Sequence, residues 1–229
     1  METVDRVARL ATFVANQIPG GIVLGMGSGS TAEAIVRSLG QRLGSDQGFT
    51  VTGVSTSRNT ANLADSVGIP MRDLSDVPAI DLGFDGADEI DPDLNLVKGK
   101  GGALLYEKLV AEICADYWVV STDEKFVTRL GTRLPLPVEV IPYGWTHTKA
   151  RLHSLGLAPV LRKVGDDPCR TDAGNVILDC TPAPGVNLLD LADSIKLTTG
   201  VVEHGIFPSI ARRAILVNAQ GEIRTITPR

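Results

Sequence analysis

The chain has 229 residues, enough for one large domain or two small ones with a real hydrophobic core, and it is poor in aromatics (4%) and rich in glycine (24). A formal net charge of −5 argues against a basic face for nucleic acid, and no apolar run reaches membrane-spanning length. Cys114, Cys169 and Cys180 are odd in number with no C-x-x-C spacing, and His147, His153 and His204 fit no metal-ligand signature, which suits a reducing compartment and argues against a disulfide framework or a zinc knuckle.

The first six residues, Met1-Glu2-Thr3-Val4-Asp5-Arg6, are acidic and helical in pattern, unlike a signal or transit peptide, so a soluble cytoplasmic protein is expected. Val4, Val7, Ala8, Ala11 and Val14 or Ala15 recur at helical spacing and predict an amphipathic helix over 4–17, stopped by Gly20-Gly21. A short buried strand at 22–24 then meets the glycine loop Gly25-Met26-Gly27-Ser28-Gly29-Ser30-Thr31, which leads into a helix with Ala32, Ile35, Val36, Leu39 and Leu43 on one face. Strand, glycine turn and helix in that order aim free backbone N–H groups and a helix dipole at an anion. The loop departs from G-x-G-x-x-G at Ser30 and lacks the Gly-Lys-Ser/Thr of a P-loop. The second strand, at 50–54, ends in Ser55-Thr56-Ser57 where a dinucleotide site wants an acid. Ser28, Ser30 and Thr31 therefore suit a single phosphate better than a pyrophosphate; the plainer alternative is helix capping.

A helix is expected at 59–66, a break at Gly68-Ile69-Pro70, and a strand with period-2 alternation at 80–84. That strand ends at Asp85-Gly86-Ala87-Asp88-Glu89-Ile90-Asp91, followed by Lys98-Gly99-Lys100-Gly101-Gly102. Glu107 follows, early in a breaker-free helical stretch where Leu105, Leu109 and Ile113 share a face. Ligands of open α/β sheets sit beyond the carboxyl ends of the strands, and a carboxylate near a helix N-terminus can face the same cleft. So dense a convergence of acids, lysine and glycine reads as an active site, against the alternative that Asp85, Asp88 and Asp91 cap a turn. A further strand at 117–120 ends in Ser121-Thr122-Asp123-Glu124-Lys125, so Lys125 is either a second cation near a phosphate or a solvated surface lysine.

Leu134-Pro135-Leu136-Pro137 marks a domain boundary. Beyond it the pattern reads strand 138–141, helix 146–155, strand 159–163, turn 172–174, strand 175–180, helix 188–197 and strand 201–203, the split βαβ order of a ferredoxin-like lobe. Strands at 213–217 and 223–226, joined by a turn, complete the first sheet as a hairpin. The fold class expected is α/β, with a Rossmann-like open-sheet domain (1–131 and 206–229) and a smaller inserted lobe (132–205).

Assembled in this order, the glycine loop, Val54-Ser55-Thr56-Ser57, the Asp85–Asp91 string, Lys98 through Glu107-Lys108, Leu134-Pro135-Leu136-Pro137-Val138-Glu139-Val140-Ile141-Pro142 and Gly200-Val201-Val202-Glu203-His204-Gly205-Ile206-Phe207 closely resemble the ribose-5-phosphate isomerases of the A type. The resemblance implies interconversion of ribose 5-phosphate and ribulose 5-phosphate through an enediolate, with no metal or organic cofactor and with assembly into a homodimer or homotetramer. It implies Glu107 as the proton-transfer base, with Asp85, Asp88 and Lys98 at the reacting end. Substrate contacts would come from Ser28, Gly29, Ser30, Thr31, Asp85, Gly86, Ala87, Asp88, Lys98, Gly99, Lys100, Gly101 and Lys125. The chain departs from the pattern at Lys100, where glycine is usual, and by one extra residue within Gly131-Thr132-Arg133-Leu134. Two other classes compete: a sugar-phosphate sensor lobe, which would not need Glu107 and would normally carry a basic DNA-binding module, and a metal-dependent isomerase ligated by Asp85, Asp88 and Asp91.

Overall fold

The computed structural model describes residues 3–228. Met1, Glu2 and the side chain of Val4, part of the reading of the N-terminus, lie outside the described residues. In chain order the first half comprises α1 (Thr3–Gln17), β1 (Ile22–Met26), α2 (Ser30–Ser45), β2 (Val51–Ser55), α3 (Arg58–Ser66), β3 (Ile80–Asp85), β4 (Glu89–Ile90), β5 (Leu96–Val97), α4 (Leu104–Glu112) and β6 (Cys114–Thr122). The second half comprises β7 (Leu136–Val140), α5 (Trp145–Ser154), β8 (Leu157–Leu161), β9 (Lys163–Val164), β10 (Asp167–Pro168), β11 (Val176–Pro182), α6 (Leu188–Lys196), β12 (Val201–His204), β13 (Ile206–Phe207), β14 (Arg213–Val217) and β15 (Ile223–Ile226).

The main sheet has six strands in the order β15-β14-β6-β3-β1-β2, parallel throughout except for the antiparallel edge strand β15. Its interior strands are apolar on both faces because helices cover both. On one face Leu10 and Val14 of α1 and Ile35 and Leu39 of α2 pack on Leu24, Phe84, Val120 and Ile215. On the other, Tyr117, Val119 and Leu216 meet Ala111 of α4 and Phe207. The smaller sheet runs β12-β7-β11-β8, antiparallel at each pairing, which is the strand order of a ferredoxin-like lobe, with α5 and α6 on its apolar side. Val97, Val127, Leu130 and Ile206 join the lobe's hydrophobic cluster from outside 132–205.

Two helical faces differ from the expected ones. In α1 the buried stripe is Arg6, Leu10, Ala11, Val14 and Ala15, continued by Ile18 just past the helix, and Ala8 is exposed. In α4 the Leu105, Leu109 and Ile113 stripe turns outward, Leu109 being 44% exposed, while Leu104, Glu107, Lys108, Val110 and Ala111 face inward. An ionisable pair displaces leucines from the interior because it has partners there, which hydrophobic periodicity does not register.

Candidate active site

The carboxyl ends of β1, β3 and β6 open on a common cavity of about 720 Å³. At the end of β1 the chain passes so close to β3 that a Cβ on Gly27 would lie 2.1 Å from the Asp85 carboxyl carbon, so only glycine fits. The following Ser28 N–H donates to Asp85 Oδ1 at 3.0 Å. Gly29, with φ of 88°, turns the chain into α2 as its N-cap, and no side chain caps that helix. The Ser28 hydroxyl is instead paired with Thr56 Oγ1 at 2.7 Å. Capping therefore does not account for these hydroxyls; the N-terminus of a 16-residue helix faces the cavity beside Ser30 and Thr31.

At the cavity floor lies a buried charge cluster. Lys98 Nζ, 3% exposed, donates to the Gly86 carbonyl at 2.6 Å and pairs with Asp85 Oδ2 at 2.8 Å and Glu107 Oε2 at 3.4 Å. Burial works to lower the lysine's pKa, but Asp85 and then Glu107 outweigh it and raise the value, so the ammonium stays charged. Two carboxylates face that one cation, and burial raises both. Asp85 has N–H donors from Ser28 and Gly86 on Oδ1 and its Oδ2 lies 2.8 Å from Lys98 Nζ, against 3.4 Å for Glu107 Oε2, so the extra proton belongs on Glu107. Burial, reinforced by Asp85 and Asp88 and opposed by Lys98, pushes its carboxyl up to about 8. Tyr117, 2% exposed, lies behind this group; burial, then Asp85 and Glu107, keep its phenol protonated well above the ordinary range.

Of the residues singled out in the sequence, Ser28, Gly29, Ser30, Thr31, Gly86, Ala87, Asp88, Lys98, Gly99, Lys100, Gly101, Glu107 and Lys125 all line the cavity. Asp85 does not: at 1% exposure it stands behind Lys98. Asp91 belongs to its own turn, accepting from the N–H groups of Asp93 and Asn95 and from the Asn95 side chain, and Glu89 binds the N–H groups of Gly131, Arg133 and Leu134. Asp85, Asp88 and Asp91 thus do not converge as ligands. Among the described residues no group of three or more His, Cys, Asp or Glu side chains is arranged to hold a metal ion.

Sequence reasoning missed two parts of the lining. Arg6 reaches the cavity from α1, 2.7 Å from Glu124 next to Lys125. Its signal was available, because Arg6 is in register with Leu10 and Val14 on the buried stripe. Cys169, Arg170, Thr171 and Asp172 of the small lobe also line it, and Asp172 accepts from the Arg58 N–H at 3.0 Å across the cleft. Behind Glu107, Lys108 ties α4 to the lobe through Glu203 Oε1 and the His204 carbonyl, each at 2.7 Å.

The sequence model of the ribose 5-phosphate isomerase A (phosphoriboisomerase A) family matches residues 52–221. Ribose-5-phosphate isomerase A of Synechococcus sp. (strain JA-3-3Ab) is 45% identical over 96% of this chain and 97% of its own. The solved ribose 5-phosphate isomerase A of Methanocaldococcus jannaschii superposes with a TM-score of 0.91 at 32% identity, covering 99% of this chain and 100% of that one. A D-ribose-5-phosphate isomerase solved in complex with phospho-erythronic acid gives 0.93 at 33% identity, with the same coverage. The chain belongs to the ribose 5-phosphate isomerase A family.

Proposed function

We propose that this protein interconverts ribose 5-phosphate and ribulose 5-phosphate by proton transfer between C1 and C2, with Glu107 as the base. The observation that carries this reading is the Glu107 carboxyl, buried against Lys98 yet lining the same cavity as the serine-threonine loop. An enediolate needs a base of pKa near neutrality and a fixed cation for its oxygen. Glu107, held near 8, supplies the first, and Lys98 supplies the second. Asp85 keeps Lys98 in place and charged. Asp88, which lines the cavity and accepts the Lys100 N–H at 2.9 Å, handles substrate hydroxyl protons.

The phosphate docks on Ser28–Thr31 at the α2 N-terminus, with Arg6 and Lys125 as cations, and its binding energy orients the reacting carbons. The phospho-erythronic acid bound by a related isomerase supports the assignment, since it is a phosphorylated sugar acid and its carboxylate matches the charge of an enediolate. The same proposal divides the chain into a catalytic domain of 1–131 with 206–229 and a lobe of 132–205. It also includes a cytoplasmic homodimer or homotetramer. No helix among the described residues is long and apolar enough to cross a membrane.

The test is ribulose 5-phosphate formation from ribose 5-phosphate by the purified protein, with and without EDTA. Turnover undiminished by chelation is expected; no ketose formed under either condition refutes the function, and loss of turnover on chelation refutes the metal-free mechanism.

A further inference from the structure

The loop between Lys98 and Gly102 is held from outside the cavity by one side chain. Arg162, immediately after β8 of the small lobe, donates from Nη1 to the carbonyls of Gly99 and Lys100, both at 2.9 Å. The rest of its fork is committed to Asp179 of β11, with Nε on Oδ2 at 2.9 Å and Nη2 on Oδ1. Because a trans peptide is planar, its C=O and the next residue's N–H point in opposite directions. Drawing the Gly99 and Lys100 carbonyls towards the lobe therefore turns the N–H groups of Lys100 and Gly101 the other way. The first of these meets Asp88 Oδ2 at 2.9 Å, as that geometry requires. The second belongs to Gly101, a cavity-lining residue at which an added Cβ would meet nothing within 4 Å. The guanidinium charge behind two aligned peptide dipoles also reinforces their positive ends at the cavity.

We propose that Arg162 is a positioning residue of the isomerase site: from the small lobe it orients two consecutive peptides so that one holds Asp88 and the other presents its N–H to the substrate's developing oxyanion. The assignment rests on the isomerase reading given above. It extends the site to a residue that touches no substrate, and it makes the lobe a part of the catalytic geometry.

Arg162→Met is expected to lower kcat by about ten- to hundredfold, as for an ångström-scale misplacement of a reacting group. KM should stay within about threefold, because the phosphate contacts lie elsewhere. Guanidinium ion should restore part of the kcat of Arg162→Ala, and equimolar sodium chloride should not. Asp179→Asn separates the two roles of the fork: it cuts the ion pair but leaves the loop carbonyls their donor, so its kcat loss should be smaller than that of Arg162→Met. Amide exchange at Lys100 and Gly101, which needs no substrate, should accelerate in Arg162→Met while the β1 and β3 amides keep their protection. The proposal is overturned if Arg162→Met retains kcat within about twofold, if Asp179→Asn matches it in kcat and Tm, or if loop exchange is unchanged. Because the exchange measurement stands without turnover, a wild type inactive on ribose 5-phosphate would refute the isomerase reading while the exchange result still judged the loop-orienting role.

Discussion

Glu107→Gln should abolish catalysis and yet stabilise the fold, with a dependence on pH that runs in one direction. In the folded chain burial holds the Glu107 carboxyl at about 8, against 4.5 for a free glutamate. Between those values the unfolded chain has lost the proton and the folded chain keeps it, so wild-type stability falls as pH rises through this window. An amide of the same shape does not titrate. Converting the shift at 1.36 kcal/mol per unit, the variant's advantage should grow by about 3 to 4 kcal/mol between pH 5 and pH 8. Turnover should fall about a thousandfold or more, since loss of a positioned base removes both proton-transfer steps. In the wild type, kcat/KM should climb with pH and level off above about 8, as the free base becomes ionised. Urea denaturation at pH 5, 6.5 and 8, beside initial rates on ribose 5-phosphate, measures both effects. Near-normal turnover in the variant would remove Glu107 from the base role, and a stability difference flat in pH would refute the buried, proton-holding carboxyl.

Other perturbations follow from the same geometry. Gly27→Ala places a methyl 2.1 Å from the Asp85 carboxyl carbon, so Asp85 must leave Ser28 N–H and Lys98; kcat should drop about a hundredfold, and a rate within a few-fold of wild type would show that Asp85 is dispensable. Arg6→Ala removes a cavity cation and should raise KM about tenfold with kcat nearly kept, the difference shrinking at high salt. An unchanged KM would separate Arg6 from the phosphate. His204 accepts the Ile206 N–H on Nδ1, and burial followed by the Lys108 charge depresses it from 6.5 to about 4. Its folded pKa lies below the unfolded one, so it supports stability above pH 6.5, and that support, about 3 kcal/mol in full, disappears as pH falls from 6.5 to 4. His204→Asn keeps an acceptor at that place and should flatten the slope in urea midpoints across this window; an unaltered slope would assign the titration to another group.

The parts of the fold legible in the sequence are those where one physical signal dominates. The interior strands of the main sheet are short apolar runs or, at 80–84, a period-2 alternation, each with a turn after it, and the 213–217 and 223–226 hairpin carries its own turn residues. The lobe's order could be read because its strands and helices alternate cleanly in period. The three-stranded ribbon of β4, β5 and β13 was not legible, because its two-residue strands pair across the chain, Ile206 with Val97. Neither was the outward turn of Leu105, Leu109 and Ile113, since periodicity identifies a face and not which neighbour takes it. Around the site, spacing pointed to Asp88, Lys98 and Glu107 as neighbours, and all three line one cavity. It could not separate Asp85 behind the lysine from Asp88 in front of it, nor tell that Glu89 and Asp91 serve backbone N–H groups elsewhere.

That separation of roles within one acidic string has an energetic reason. A lone buried carboxylate is costly, and three pointing into one cavity with a single lysine would repel one another into protonation. The chain spends most of its acids on backbone donors: Glu89 takes three N–H groups, Asp91 two with an asparagine amide, and Asp85 two before it meets Lys98. Asp85 Oδ2 and Glu107 Oε2 are both left without a hydrogen bond, but Asp85 has two N–H donors on its other oxygen and the nearer approach to Lys98, so the electrostatic strain of the cluster accumulates on Glu107. A carboxyl raised in this way binds a proton weakly enough to release it and strongly enough to take one from carbon, which is what a reversible shuttle between C1 and C2 demands. Satisfying that oxygen should therefore cost activity even with the glutamate intact. A donor introduced at Ala103, as in Ala103→Ser on the rim beside Glu107, should lower its pKa and slow turnover, and an unchanged pH profile despite a formed bond would refute the link between the orphaned oxygen and the rate.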